Sequence, residues 1–416
     1  MACFPSSSFF LCSPFQELFS QSCSESKQIP YHIIAYTRDL SARYLGGAWK
    51  TIGTEQMHMR AMRGGMSNLL FLVELPSDVA VQGLEPMSAL LRIHCSTDLI
   101  RHFNESIIFT MLSERLLGPQ LFGVFPGGRF EQYIPSRALL CHELSYPAIS
   151  RRLGVLLARI HTLNVPVSKE PMIFEVAEEW LKKLENFSSK MEHKMQIKMV
   201  QTDLSKCPEV ITCDVLRNEL QITRLCLEKS KSPVLFCHND LQEGNVLLRN
   251  KYHIDQYGNL NADESEEPLV LIDFEYASYN YRGFEFANHI CEYILDYAND
   301  KPPYYWIRQE RAPSDKQLHI LFNAYLDEYE KQTKCSNESG NERNSIPSTY
   351  VDRGAKINEL ITEARRFTAV SHLFWCIWSF LSAKDSPIEF DYLSYGLDRI
   401  ALYYESKHKL LEYFSG

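Results

Sequence analysis

The sequence predicts an α+β chain of two unequal lobes, a small mostly-β lobe followed by a large mostly-α lobe. Three observations predict it. At 416 residues the chain exceeds what one small core accommodates. Strand-like segments crowd the stretch before residue 135. After residue 150, apolar residues recur at helical spacing and are interrupted by one hairpin pattern.

Residues 1–30 form a Ser- and Phe-rich leader, expected to be poorly ordered; Phe9-Phe10-Leu11 lacks the basic flank and the length of a signal-peptide core. Pro30 to Lys50 reads as a helix through Ile33, Ile34, Tyr36, Leu40 and Tyr44. Gln56 to Met62 alternates and Asn68 to Leu75 is nearly all apolar, so two strands meet at the turn Arg63-Gly64-Gly65-Met66-Ser67-Asn68. Ala89 to Ile93 is a third strand. Glu105 opens a helical pattern of Ile107, Ile108, Met111, Leu112 and Leu116. Two strands, Leu121 to Phe125 and Arg129 to Ile134, then lead into Pro135-Ser136-Arg137. The lobes are therefore expected over 31–135 and 136–416. In the second, helices are expected around Leu153 to Leu163 and over Ile173–Met191, Cys213–Ser230, Gly283–Tyr297, Asp315–Thr333, Lys356–Leu381 and Glu389–Tyr413. Tyr252 to Glu267 is the expected hairpin tip, and the Ser/Asn-rich Lys334 to Thr349 a loop.

Composition excludes several classes. Hydrophobic content of 45% and aromatic content of 12% provide a buried interior and exclude wholesale disorder. A formal charge of −9 argues against a nucleic-acid binder. The 12 cysteines include no Cys-x-x-Cys pair and no zinc spacing, which points to free thiols in a reducing, cytoplasmic compartment. No apolar run is long enough to span a membrane.

The chemistry is carried by His238-Asn239-Asp240-Leu241-Gln242-Glu243-Gly244-Asn245, followed by apolar Val246-Leu247-Leu248. An Asp with an Asn five positions later is the spacing of a kinase catalytic loop, where the Asp orients the attacking hydroxyl and the Asn holds magnesium. A second apolar run, Leu269-Val270-Leu271-Ile272, delivers Asp273-Phe274-Glu275, and Asp273 is the second metal ligand. Gly64-Gly65-Met66-Ser67-Asn68 can cradle phosphate with backbone N–H groups, although Gly-Gly between strands is also an ordinary hairpin turn. Arg92 stands where kinases place a phosphate-binding Lys, with Glu105 as its possible partner; the bland reading is a solvent-facing Arg on an edge strand. His238 reads as structural.

With these motifs the chain resembles the choline/ethanolamine kinase family, whose fold is protein-kinase-like and related to aminoglycoside phosphotransferases. The likeness runs from about residue 35 to the C-terminus. Its more particular parts are Ile272-Asp273-Phe274-Glu275-Tyr276 and Tyr279-Asn280-Tyr281-Arg282-Gly283-Phe284 through Asn288-His289. The resemblance implies ATP contacts from Arg63, Gly64, Gly65, Met66, Ser67, Asn68, Leu69, Arg92, Glu105, Gln242 and Asp273. It also implies an adenine hinge over Gln132 to Ala138, read by backbone groups of Gln132 and Ile134. Mg2+ would be held by Asn245 and Asp273, and the protein would be a cytoplasmic homodimer. The implied reaction is ATP-dependent phosphorylation of choline, the first step of phosphatidylcholine synthesis by the CDP-choline route.

Choline has no N–H to donate, so only charge and aromatic faces hold it. Trp375 and Trp378 share a helix face, Tyr395 lies on the next helix, Glu292 and Tyr297 are expected on the helix after the metal site, and Tyr276 follows the Asp273 motif. The resemblance places these around choline, with Asp240 at its hydroxyl. Taken alone, the stripe Phe367, Phe374, Trp375 and Trp378 is as well explained as core. Ethanolamine phosphorylation is the alternative. A non-catalytic nucleotide-binding scaffold is disfavoured because Asp240, Asn245 and Asp273 are all present.

Overall fold

The computed structural model describes residues 29–62, 68–81, 83–94, 99–187, 199–262, 266–338, 352–386 and 388–415. The chain divides into two compact units, Met1–Pro135 and Ser136–Gly416. Residues 1–28 of the leader, the Arg63–Ser67 part of the predicted phosphate turn and residues 339–349 of the predicted loop lie outside the described residues.

The first unit opens with α1 (Tyr31–Tyr44) and a short 3-10 turn (Gly47–Lys50). Strands β1 (His58–Met62), β2 (Asn68–Glu74), β3 (Ser88–His94), β4 (Leu121–Phe125) and β5 (Gly128–Gln132) form one antiparallel sheet in the order β1-β2-β3-β5-β4. Ile33 and Leu40 of α1 and Trp49 meet Phe71, Val73, Leu91 and Phe130 of the sheet in a buried cluster. That alternating apolar face fixes the register, since a slip of one residue would turn it to water. Helix α2 (Leu99–Glu114) starts six residues before the predicted Glu105 start. Arg101, His102 and Asn104 interrupt the apolar residues of its first turns, of which Ile100 and Phe103 are exposed, so no core-facing stripe marks the start.

The second unit is mostly helical: α3 (Pro147–His161), α4 (Met172–Phe187), α5 (Cys213–Lys229), α6 (Arg282–Cys291), α7 (Asp315–Glu338), α8 (Arg353–Asp385) and α9 (Tyr392–Leu411). Thr212 and Asp391 cap α5 and α9 by accepting from the N–H groups of Val215 and Ser394. The core gathers Trp180, Leu216, Phe284, Phe367, Phe374, Phe380, Ile400 and Tyr403. At Gly283 an added Cβ would lie 2.7 Å from the Phe367 ring, so α6 and α8 pack here only because that position lacks a side chain. Two sequence expectations change. Helix α6 ends at Cys291, so Tyr297 lies beyond it, and Lys334–Glu338 continue α7 instead of opening a loop.

Short strands cross this helical unit. β6 (Ser136–Ala138), β8 (Val246–Arg249) and β11 (Leu269–Leu271) form one sheet, with β8 central. β7 (Val234–Cys237) pairs with β12 (Ser278–Tyr281). The predicted hairpin is the β8–β11 pair, with Leu247 opposite Val270. Its tip carries a small ladder of β9 (His253–Ile254) against β10 (Leu260–Asn261).

Candidate active site

Strand β7 ends at Cys237, and the chain turns sharply at Asn239, whose φ is +67°. Asn tolerates this left-handed conformation better than most residues. Buried backbone donors need partners, and the carboxylate of Glu285 on α6 supplies them. It accepts the N–H of His238 at 2.5 Å and that of Asn239 at 3.1 Å. Burial would raise the Glu285 carboxyl, but His161, His238 and the Asn239 N–H outweigh it and hold it below the usual range. The Asn239 side chain donates to the Tyr276 carbonyl at 2.9 Å and accepts from Asn280 at 2.9 Å. The Asp240 N–H donates to His238 Nδ1 at 3.3 Å, which leaves Nε2–H to donate to the Ile272 carbonyl at 3.0 Å. His238 is therefore a neutral brace, in keeping with a pKa lowered by burial.

Asn245 Nδ2 donates to the Asp240 carbonyl at 2.8 Å and to Asp240 Oδ2 at 2.9 Å. The Ile272 N–H donates to the Asn245 carbonyl at 3.0 Å, which sets Asp273 beside this pair. Asp273 itself has φ +61°. Burial, then the charges of Glu292, Asp273 and Glu275, push the Asp240 carboxyl well above its usual range. Such a concentration of acid favours cations. A carboxamide oxygen and a carboxylate are hard donors of the kind Mg2+ takes, so Asn245 and Asp273 fit that ion. Gln242 accepts the Gly244 N–H at 2.9 Å, starting the turn that brings Asn245 inward.

The predicted acceptor residues gather in the same unit. Trp375 and Trp378 of α8 stand edge-to-face with ring centres 5.5 Å apart, and Tyr276 meets Trp375 at 5.3 Å. The Tyr297 and Tyr395 hydroxyls lie 2.8 Å apart. Phe367 and Phe374 are core, as an apolar stripe suggests; Trp378 and Tyr276 are only half-buried at the core's margin. Glu292 caps the end of α6 and is buried; burial pushes its carboxyl up to about 7, against the lowering influence of Arg399 and Tyr297. Arg399 approaches Glu292 at 3.8 Å and donates to the Tyr395 hydroxyl at 3.2 Å.

Within the first unit, Arg92 is buried on the central strand, not exposed on an edge. Glu105 is not its salt-bridge partner: Glu105 pairs with Arg129 at 2.7 Å, and Arg92 pairs with Glu131 at 2.6 Å. Arg129 lies directly opposite Arg92 across the strands and also reaches Glu131, at 2.7 Å. Burial raises the Glu131 carboxyl, but the two guanidinium groups outweigh it and hold it below its usual range. Asn68 Oδ1 meets His94 Nδ1 at 3.2 Å, and Leu69 lies opposite Ile93. The Gln132 N–H donates to the Gln120 carbonyl at 2.8 Å, so of its backbone groups the N–H is engaged within the first unit. Ile134 is buried.

Sequence reasoning missed Glu285, Asn288, Arg399, Arg129 and Glu131. A signal existed for Arg399, a charge set between Asp398 and Ile400 on a helix that is otherwise apolar there. Asn288 closes the motif noted above, but no local pattern marks its contacts or those of Glu285, because their partners are remote in sequence.

A family model described as choline/ethanolamine kinase matches residues 59–404. Choline kinase A2 of Caenorhabditis elegans is 41% identical over 388 residues, covering 89% of this chain and 85% of that protein. A choline/ethanolamine kinase of Homo sapiens is 37% identical over 375 residues, covering 88% and 84%. The crystal structure of a choline kinase from Cryptosporidium parvum superposes with a TM-score of 0.65 at 21% identity, covering 91% of this chain and 96% of that one. This last likeness is one of fold, and the fold is protein-kinase-like.

Proposed function

We propose that this chain, which belongs to the choline/ethanolamine kinase family, transfers the γ-phosphoryl group of ATP to the hydroxyl of choline. One observation carries the choice of acceptor: Tyr276, Trp375 and Trp378 form a run of touching rings, Trp378 packs with Tyr297 and Tyr395, and those two tyrosines lie by a buried acid, Glu292, whose charge also acts on Asp240. Aromatic faces and one carboxylate suit a quaternary ammonium, and Asp240 then meets the hydroxyl. Asp240 takes the hydroxyl proton as the oxygen attacks the γ-phosphorus and the bond to the β–γ bridging oxygen breaks, giving ADP and phosphocholine. Asn245 and Asp273 would hold Mg2+, which neutralises phosphate charge when bound. Arg63 to Leu69, Arg92, Glu105, Gln132, Ile134 and Gln242 are proposed nucleotide contacts.

Ethanolamine is the second reading. It rests on Glu292 Oε2, a buried oxygen that has no hydrogen-bond partner among the described residues and that an ammonium N–H would satisfy. A coupled ATP-turnover assay with magnesium across choline, ethanolamine and an aminoglycoside tests the proposal. Choline should give the highest kcat/KM, and a strong preference for ethanolamine would reverse the assignment. A cytoplasmic setting is supported by the free thiols of Cys141, Cys207, Cys213, Cys226, Cys237, Cys291 and Cys376. No helix among the described residues is long and apolar enough to cross a membrane. Homodimer formation, implied by the family resemblance, is read by light scattering.

A further inference from the structure

Helix α6 presents Glu285, Asn288 and Glu292 at a spacing that puts all three on one face. Glu285 holds the catalytic loop and Glu292 belongs to the acceptor pocket; Asn288 lies between them, fully buried. Its Nδ2 donates to the Asn239 carbonyl at 3.2 Å, one residue from Asp240. Its Oδ1 accepts from the Trp375 indole at 2.6 Å and from the Ser371 hydroxyl at 2.9 Å. The indole nitrogen only donates, so the amide's orientation is fixed by chemistry. Ser371 in turn accepts from Arg399 at 3.0 Å, and Arg399 donates to Tyr395. A single amide thus joins the loop that carries the base to the aromatic wall that would hold the cation.

We infer that Asn288 is a positioning residue that sets the separation between the acceptor's cation site and Asp240. The inference rests on the choline reading above. An acceptor is then selected by the length between its charge and its hydroxyl, because both ends of that span are tied to the same side chain. Asn288→Ala removes both ties. Asn288→Asp is nearly isosteric and still accepts from Trp375 and Ser371, but has no proton to give the Asn239 carbonyl.

The experiment compares choline with its homologue one methylene longer, 3-hydroxypropyl-trimethylammonium, as substrates of wild type and both variants, with folding checked by circular dichroism. Wild type should prefer choline. In Asn288→Ala the ratio of the two kcat/KM values should fall by roughly tenfold, as a displaced reacting group would cause. Asn288→Asp should lose kcat with little change in KM for choline, and it carries the test if the Ala variant fails to fold. An equal loss on both alcohols, with the ratio unchanged in both variants, would assign Asn288 to the core and overturn the inference alone. A wild-type enzyme that phosphorylates neither alcohol would overturn the substrate reading and this inference with it.

Discussion

The Glu285 carboxylate receives the backbone N–H of His238 at 2.5 Å while His161 Nε2 stands 3.7 Å from the same oxygen, all of it out of contact with water. The acid therefore sustains the turn that aims Asp240. Glu285→Ala would leave buried donors without partners, and a loss of roughly 3–5 kcal/mol of stability is expected from removing one member of such a buried set. Denaturant unfolding of the variant measures it. A midpoint within error of wild type would mean that the loop holds itself.

Asp240→Ala should lower kcat by about 10²–10⁴-fold, the usual contribution of a positioned proton acceptor. Nucleotide affinity, measured by calorimetry, should change little. An active Asp240→Ala enzyme would remove this carboxylate from the chemistry.

Trp378 is half-buried where Trp375 and Tyr392 meet it edge-on. Trp378→Ala should raise the KM for choline by about tenfold, corresponding to a cation–π contribution on the order of 1–2 kcal/mol, while the KM for ATP stays within twofold. Parallel increases in both constants would make this ring ordinary core.

Glu292 gives the pocket a pH response of opposite sign to its effect on folding. Its carboxyl is pushed up to about 7 by burial, so it is neutral below that pH and charged above it. Choline keeps its charge throughout, so its KM should rise as pH falls through about 7, and Glu292→Gln should flatten that dependence. Folding runs the other way. The unfolded carboxyl ionises near ~4.3, so between there and about 7 the folded state holds a proton that the unfolded state lacks, and stability declines as pH rises across that window. The facing groups are Arg399, Tyr297, Tyr395, Asp240 and Glu243. A KM slope that survives in Glu292→Gln would shift the assignment to Asp240 or Glu243.

Glu131 separates two guanidinium groups that face each other across β3 and β5. Glu131→Ala would leave Arg92 and Arg129 buried and mutually repelling, at a cost of roughly 3–5 kcal/mol. Thermal unfolding should show the loss, and Arg92→Ala should cost less because Arg129 keeps Glu105.

Much of this was legible beforehand where the physics is local. The Leu121–Phe125 strand and the start of Cys213–Lys229 match their apolar patterns, and the Asp240 to Asn245 spacing corresponds to a pair in hydrogen-bond contact. The start of helix α2 escapes the pattern because its early apolar residues Ile100 and Phe103 are exposed and interrupted by Arg101, His102 and Asn104, and Tyr297 lies off α6 although Ile294 and Leu295 prolong an apolar rhythm that the backbone abandons at Cys291. The Glu105–Arg92 pairing failed for a different reason. Strand register decides which charges meet, and Arg129 falls opposite Arg92 only once β3 and β5 are aligned.

Trp375 and Trp378 sit on α8, a single helix of 33 residues and thus about 50 Å long. The same helix sends Phe367, Phe374 and Phe380 into the interior. A pocket built on loops can be reshaped by insertions that leave the scaffold untouched. Here the wall proposed to face the acceptor belongs to a structural beam, so a redesign for bulkier alcohols must reposition the beam or enlarge single rings. Directed evolution of acceptor range should therefore proceed through substitutions on α6 and α9 that flank those tryptophans, and few tolerated changes should arise at Trp375 itself.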